Sequence, residues 1–140
     1  MPVELNHTIV HTNDQHGAAA WFAELFGRPM PTRFGPFLVV EVDNGVSLDF
    51  DTEMGGPVEM QHYAFLVGEE DFDAIFGRIQ ALGIPYFADP GRELAQQINT
   101  HDGGRGVYFP SHPDGHLLEI ITRPYGGFKD ERGVPAPSSP

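Results

Sequence analysis

This chain reads as an α+β protein made of two similar halves, each running strand, helix, then two or three strands. Three observations carry that reading. The stretch "ELNHTIVHTND" from Glu4 returns as "EMQHYAFLVGEED" from Glu59, and the offset of 55 (59 − 4) also takes His7 to His62. The stretches "DNGVSLDF" and "PDGHLLEI" both pass from a Gly turn into a strand, with Asp49 four residues after Gly45 and Glu119 four after Gly115. Each half also has one apolar pattern at helical spacing, placed directly after its first strand-like run.

In the first half, the β-branched residues of "LNHTIVH" form a strand. Period two sets Leu5, His7, Ile9 and His11 on one of its faces. "TND" supplies capping residues, and Ala18, Trp21, Phe22, Leu25 and Phe26 mark a helix stopped by Gly27 and Pro29. "FGPFLVVEV" and "VSLDFD" are two strands joined through the hairpin signal "DNG". Residues 53–58, "EMGGPV", form a Gly/Pro-rich connection. The second half opens with the strand "MQHYAFLV". An amphipathic helix follows over "EEDFDAIFGRIQALG", acidic at its start, with Phe72, Ile75, Phe76, Ile79 and Leu82 as its apolar stripe. "IPYFAD" reads as a short strand, residues 89–106 as a long polar loop, and "VYF" and "HLLEIIT" as strands around "PSHPDG". The Gly-, Pro- and Ser-rich residues 126–140 read as a flexible tail.

The 140 residues suit one domain with a real core. A net charge of −12 argues against a nucleic-acid partner or an anionic membrane surface. With no cysteine, disulfides and thiolate chemistry are excluded. No apolar run approaches spanning length and the N-terminus lacks a signal pattern, so the expectation is a soluble cytoplasmic protein.

The repeat sets two His on the two first strands and two carboxylates, Asp49 and Glu119, on the two last strands. Two imidazoles and a carboxylate converging from different strands make a metal site that leaves positions open for substrate, water or dioxygen. A fourth ligand such as Asp49 would close one position and favour Lewis-acid chemistry. The bland reading is that each His is an ordinary strand side chain. Against it, Glu119 lies in phase with Leu117 and Ile121, and His62 with Met60, Ala64 and Leu66, where an unpaired polar group is costly. Among the other polar residues, His101 is a candidate acid/base and Arg105 a candidate anchor for a substrate carboxylate or enolate. Tyr108 is a candidate donor to a bound oxygen. His11 falls at the rim of the His7 face, and Ser47 and Asp51 line the Asp49 face. His16, His112 and His116 read as turn or helix-start residues.

In the order of "LNHTIV", "MQHYAFLV" and "HPDGHLLEII", over paired halves, the chain resembles the vicinal oxygen chelate superfamily. That superfamily includes glyoxalase I, extradiol dioxygenases, fosfomycin-resistance enzymes and bleomycin-binding proteins. The resemblance covers about residues 3–123. It implies a single domain over 1–125, with βαβββ modules at about 3–52 and 58–123 that curl into an open cup-shaped mixed β-sheet with flanking helices. By motif position His7, His62 and Glu119 are the three metal ligands. Two features depart from the pattern. Asp49 stands where glyoxalase-type members commonly carry Glu, one methylene longer. The turn "YFPSHPDG" is one residue longer than the usual Phe-x-Asp-Pro-Asp-Gly, which leaves open whether Tyr108 or Phe109 faces the cup.

The resemblance implies a metalloenzyme that binds vicinal oxygens of a small organic substrate. One divalent metal per site is expected. With Fe(II), three protein ligands and Asp49 held back as a substrate contact, it would be a dioxygenase, the favoured reading. With Zn, Ni, Co or Mn and Asp49 engaged, it would be a glyoxalase-type lyase or isomerase. A metal-free drug-binding protein of the bleomycin-resistance kind and a fosfomycin-type transferase are the alternatives. The first leaves a buried carboxylate among imidazoles without gain, and the second lacks a basic cluster for a phosphonate. A homodimer is expected, with modules paired within one chain or exchanged between chains.

Overall fold

The computed structural model describes residues 2–52 and 56–124. Part of the 53–58 connection and the 126–140 tail read from the sequence lie outside the described residues. The described residues divide into two compact units, those up to Gln61 with Ser111–His116, and His62–Pro110 with 117–124.

The first unit runs β1 (His7–Thr12), α1 (Gln15–Phe26), β2 (Thr32–Phe34), β3 (Phe37–Glu41) and β4 (Ser47–Thr52). Its sheet order is β1-β4-β3-β2, with β1 parallel to β4 and the other pairs antiparallel. Period-two alternation explains how the sheet is covered. Val10, Thr12, Leu38, Val40, Leu48 and Phe50 are buried, and α1, which packs on β3 and β4, buries Ala18, Ala19, Phe22, Ala23 and Leu25. The Phe22 ring meets Phe26 at 4.2 Å and Phe50 at 6.0 Å, and burying an aromatic or Leu side chain contributes about 1.5–3 kcal/mol. The opposite face carries His7, Ile9 and His11 of β1 beside Ser47, Asp49 and Asp51 of β4.

Local chemistry sets the ends of α1. Asp14 accepts from the Gly17 amide at 3.0 Å, and a Cβ on Gly17 would collide with that carboxylate. Gly27 closes the helix in the left-handed region at φ 66°, where a side chain would be strained. Two expectations change in this unit. Leu5 is exposed and precedes the strand, because β1 begins only at His7. β2 was not foreseen. Its three residues are all exposed and carry no alternation, and they are a strand only because β3 offers them partners.

The second unit runs β5 (His62–Leu66), α2 (Glu69–Ala81), β6 (Gly106–Pro110) and β7 (Leu117–Ile121). Its sheet order is β5-β7-β6, with β5 parallel and β6 antiparallel to β7. Val107, Phe109, Leu118 and Ile120 are buried, as are Phe72, Ile75 and Ile79 of α2. Leu82 leaves the expected stripe. The helix ends at Ala81, and Leu82 is 64% exposed just past it. "IPYFAD" is not a strand. Pro85 has no N–H for a ladder, and only Phe87 bridges, exchanging two hydrogen bonds with Tyr108 at 2.9 and 2.8 Å. The 89–106 loop is ordered by its own polar groups. The Asp89 carboxylate accepts from the amides of Leu94 and Glu93, which holds its pKa below the usual range, and Asn99 pairs with Gly106.

Candidate metal centre

His62 and Glu119 meet in the second unit. The parallel register sets His62 beside Leu117 and Ala64 beside Glu119, so the His and the carboxylate point to one side of the sheet two residues apart. His62 Nδ1 donates to the Leu117 carbonyl at 2.9 Å, because a carbonyl can only accept. That bond turns Nε2 toward Glu119 Oε1, 3.1 Å away. Glu119 is only 4% exposed, whereas His62 lies on the exposed face of β5 with Ala64 and Leu66. The alternation of His62 with Met60, Ala64 and Leu66 suggests a buried apolar run, but His62 is not caught in one, whereas Glu119 is.

The first unit repeats this register. His7 stands beside Ser47, and Ile9 beside Asp49, so the carboxylate again follows two residues along. His7 Nδ1 donates to Asn6 Oδ1 at 2.8 Å, as His62 Nδ1 donates to the Leu117 carbonyl. Asp49 is buried at 9% exposure and accepts from Ser47 Oγ at 2.9 Å. Among the described residues, neither unit by itself gathers three or more His, Asp or Glu side chains into a metal-holding group.

The donor set nevertheless fits a divalent ion. With Nδ1–H spent on Leu117, Nε2 and the facing Glu119 oxygen are held together either by one shared proton or by a metal ion that both ligate. Two ligands each about 2.1 Å from a metal at tetrahedral to octahedral angles lie about 3.0–3.4 Å apart, which brackets the observed separation. A ligating His usually donates its other N–H to a carbonyl or carboxylate, as His62 and His7 both do toward an oxygen.

The remaining candidates part company. Tyr108 is the register partner of Glu119, so it shares the Glu119 face, and its ring stacks on His62 at 6.0 Å and 29°. Phe109 points the other way and is fully buried, so of the two it is Tyr108 that shares a face with Glu119. His101 lies exposed on a 3₁₀ turn, His101–Gly103, and shares no hydrogen bond with His62 or Glu119. Arg105 is held by α2. It bonds Asp73 at 2.8 Å, Glu69 at 3.0 Å and the Glu69 carbonyl at 3.2 Å, and it sits over the Phe72 ring at 4.3 Å. The Asp73 bond, then that of Glu69, raises the guanidinium pKa above its already high ordinary value. Arg105→Ala should therefore cost about 1–2 kcal/mol of stability, seen as a lower melting temperature, with metal content unchanged. A raised KM with an unchanged melting temperature would restore the substrate-anchor role.

Sequence reasoning missed His116. It follows the turn as expected, but it is buried, at 1% exposure, with both ring nitrogens bonded. The available signal was its place at the head of the apolar run "HLLEII".

Residues 4–120 match the Glyoxalase/Bleomycin resistance protein/Dioxygenase superfamily. The chain belongs to that superfamily. Its relatives differ in activity. Oxidase ChaP-H1 is 59% identical, with a TM-score of 0.86 over 90% of this chain and 100% of that one. Oxidase ChaP-H2 is 52% identical, also at 0.86, over 91% and 99%. The glutathione transferase FosA of Serratia marcescens is 30% identical over 83% of this chain and 78% of its own. A lactoylglutathione lyase from Agrobacterium tumefaciens, 18% identical at a TM-score of 0.63 over 86% and 93%, shares the superfamily fold. Among the described residues no helix is long and apolar enough to cross a membrane.

Proposed function

We propose that this protein is a divalent-metal-dependent oxidase of the dioxygenase type, acting on a small organic substrate, with His7, His62 and Glu119 as ligands. The observation that carries the reading is the His62–Glu119 pair, an imidazole Nε2 3.1 Å from a buried carboxylate oxygen with Nδ1 committed to Leu117, whose strand register recurs at His7 and Asp49. The oxidase relatives at 59% and 52% identity favour oxidation over the other chemistries of the superfamily. Fe(II) is the metal that suits this set, with Zn, Ni, Co and Mn as weaker fits. When bound, the metal supplies chelation of two substrate oxygens and activation of dioxygen.

The chain's own residues do the rest. Glu119 contributes negative charge from a buried position. The Leu117 carbonyl keeps His62 in the tautomer whose Nε2 can ligate. Tyr108 lies against the His62 ring, and we give it the transfer of a proton at substrate oxygen ahead of His101, which shares no bond with the pair. Asp49 has one oxygen taken by Ser47. Its other oxygen is left to accept from a substrate hydroxyl, which favours a contact role over a fourth ligand. The FosA similarity favours a transferase as the second reading. The net charge of −12 and the capture of Arg105 by Asp73 and Glu69 weigh against an anionic substrate. We place the protein in the cytoplasm as a homodimer, with one 1–125 domain per chain. Protein purified without added metal or chelator should carry close to one divalent ion per chain by elemental analysis and a dimer mass by light scattering. Metal-free protein of full activity would overturn the reading, and a monomeric mass would remove the dimer.

A further inference from the structure

We infer that His116 is a positioning residue for His62, an inference that rests on His62 being a metal ligand. The ring of His116 has one possible hydrogen pattern. Its Nδ1 accepts from the Gln61 amide at 3.0 Å, since an amide N–H only donates, and its Nε2 donates to the His11 carbonyl at 2.8 Å, since a carbonyl only accepts. The imidazole is therefore neutral, with both nitrogens used. Its backbone is held as firmly. The His116 amide donates to Ser111 Oγ at 2.8 Å, and its carbonyl accepts from the Ser111 amide at 2.8 Å.

These bonds bear on His62 from two sides. Gln61, which His116 holds, immediately precedes His62 in the chain. Leu117, which immediately follows His116, presents the carbonyl that orients His62 Nδ1 at 2.9 Å. The dipeptides Gln61–His62 and His116–Leu117 are thus cross-linked by two reciprocal imidazole-to-backbone bonds. A swing of the Gln61 amide would move the Cα that carries the ligand ring, and a shift of Leu117 would release the ring itself.

The repeat shows that the fold alone does not require an imidazole here. The alignment that takes Asp49 to Glu119 takes Val46 to His116, an offset of 70 in each case (119 − 49, 116 − 46). In the first unit an apolar residue serves at that place, and His7 is oriented by the side chain of its neighbour Asn6 instead. The two His are held differently, His7 by an exposed amide and His62 by backbone anchored on a buried ring.

The test uses Zn²⁺ titrated into metal-stripped full-length protein. His116→Asn keeps an acceptor near the Nδ1 position for the Gln61 amide and loses the bond to His11. His116→Gln reaches the Nε2 position, keeps a donor for His11 and loses the bond from Gln61. Both should melt lower. Only the Gln variant should bind Zn²⁺ about 10–100-fold more weakly, while the Asn variant stays within about threefold of the parent. Equal weakening in both, or none in either, would show a purely structural role and overturn the inference. A His62→Ala control separates the two ideas, since retained tight Zn²⁺ there removes the ligand assignment itself. If either variant fails to fold, amide exchange in the parent protein decides. Slow exchange of the Gln61 amide supports the inference, and exchange as fast as that of an unbonded surface amide overturns it.

Discussion

His62→Ala protein should purify folded and without stoichiometric metal. The ring is on the exposed face of β5, so its removal opens no cavity. What it leaves is a buried Glu119 without its partner, and an unsatisfied buried polar group costs about 1–3 kcal/mol. The melting temperature should fall by a few degrees, while metal drops from about one equivalent to near none. The two readouts are separable, since a misfolded variant would lose both its cooperative melt and its metal. A folded variant that still holds one tight equivalent would show that the ligand set is wrong. Oxidation of substrate by a metal-depleted His62→Ala protein would be equally damaging.

Asp49→Asn should retain metal and lose activity by about 10–100-fold, the usual effect of removing a group that supports a metal site without ligating it. Asn preserves the shape and the acceptor that Ser47 Oγ uses at 2.9 Å, so the β4 strand should persist. Only the charge is removed. If Asp49 were a ligand, the site would have four protein donors and little room for dioxygen beside a chelating substrate. The variant would then lose metal as His62→Ala does, and lyase or isomerase chemistry would become the better reading. Measuring metal content and turnover on the same preparation distinguishes the two outcomes.

Much of the site was legible before any tertiary contact. A period of two and an internal offset are local properties, so His7, His62, Asp49 and Glu119 could be set on their strands from the residues alone. The register bears out that pairing, with His7 and Asp49 related across β1 and β4 as His62 and Glu119 are across β5 and β7. The burial cost argued for Glu119 was also legible, because Leu117 and Ile121 flank it in phase. The same argument misled for His62, since an apolar alternation does not say whether the face it marks is covered.

The sequence by itself determined the class of fold, both helices with their stops, the hairpin at "DNG" and the repeated His and carboxylate positions. Each follows from residues within one turn or one strand of each other, where propensity and periodicity act. Only the tertiary structure decided the partners. The loop position of Arg105 suggests a substrate anchor, yet Glu69 and Asp73, 36 and 32 residues away, hold its guanidinium. β2 became a strand because β3 lies beside it, and "IPYFAD" did not because Pro85 cannot donate and only Phe87 forms isolated bridges, to Ala95 and Tyr108. His116 became a buried strut because the carbonyl of His11, 105 residues earlier, came within reach of its ring. A hydrogen-bond donor close to several acceptors along the chain can be assigned from sequence. One whose acceptor is brought near only by chain closure cannot, because no local preference records which distant carbonyl arrives.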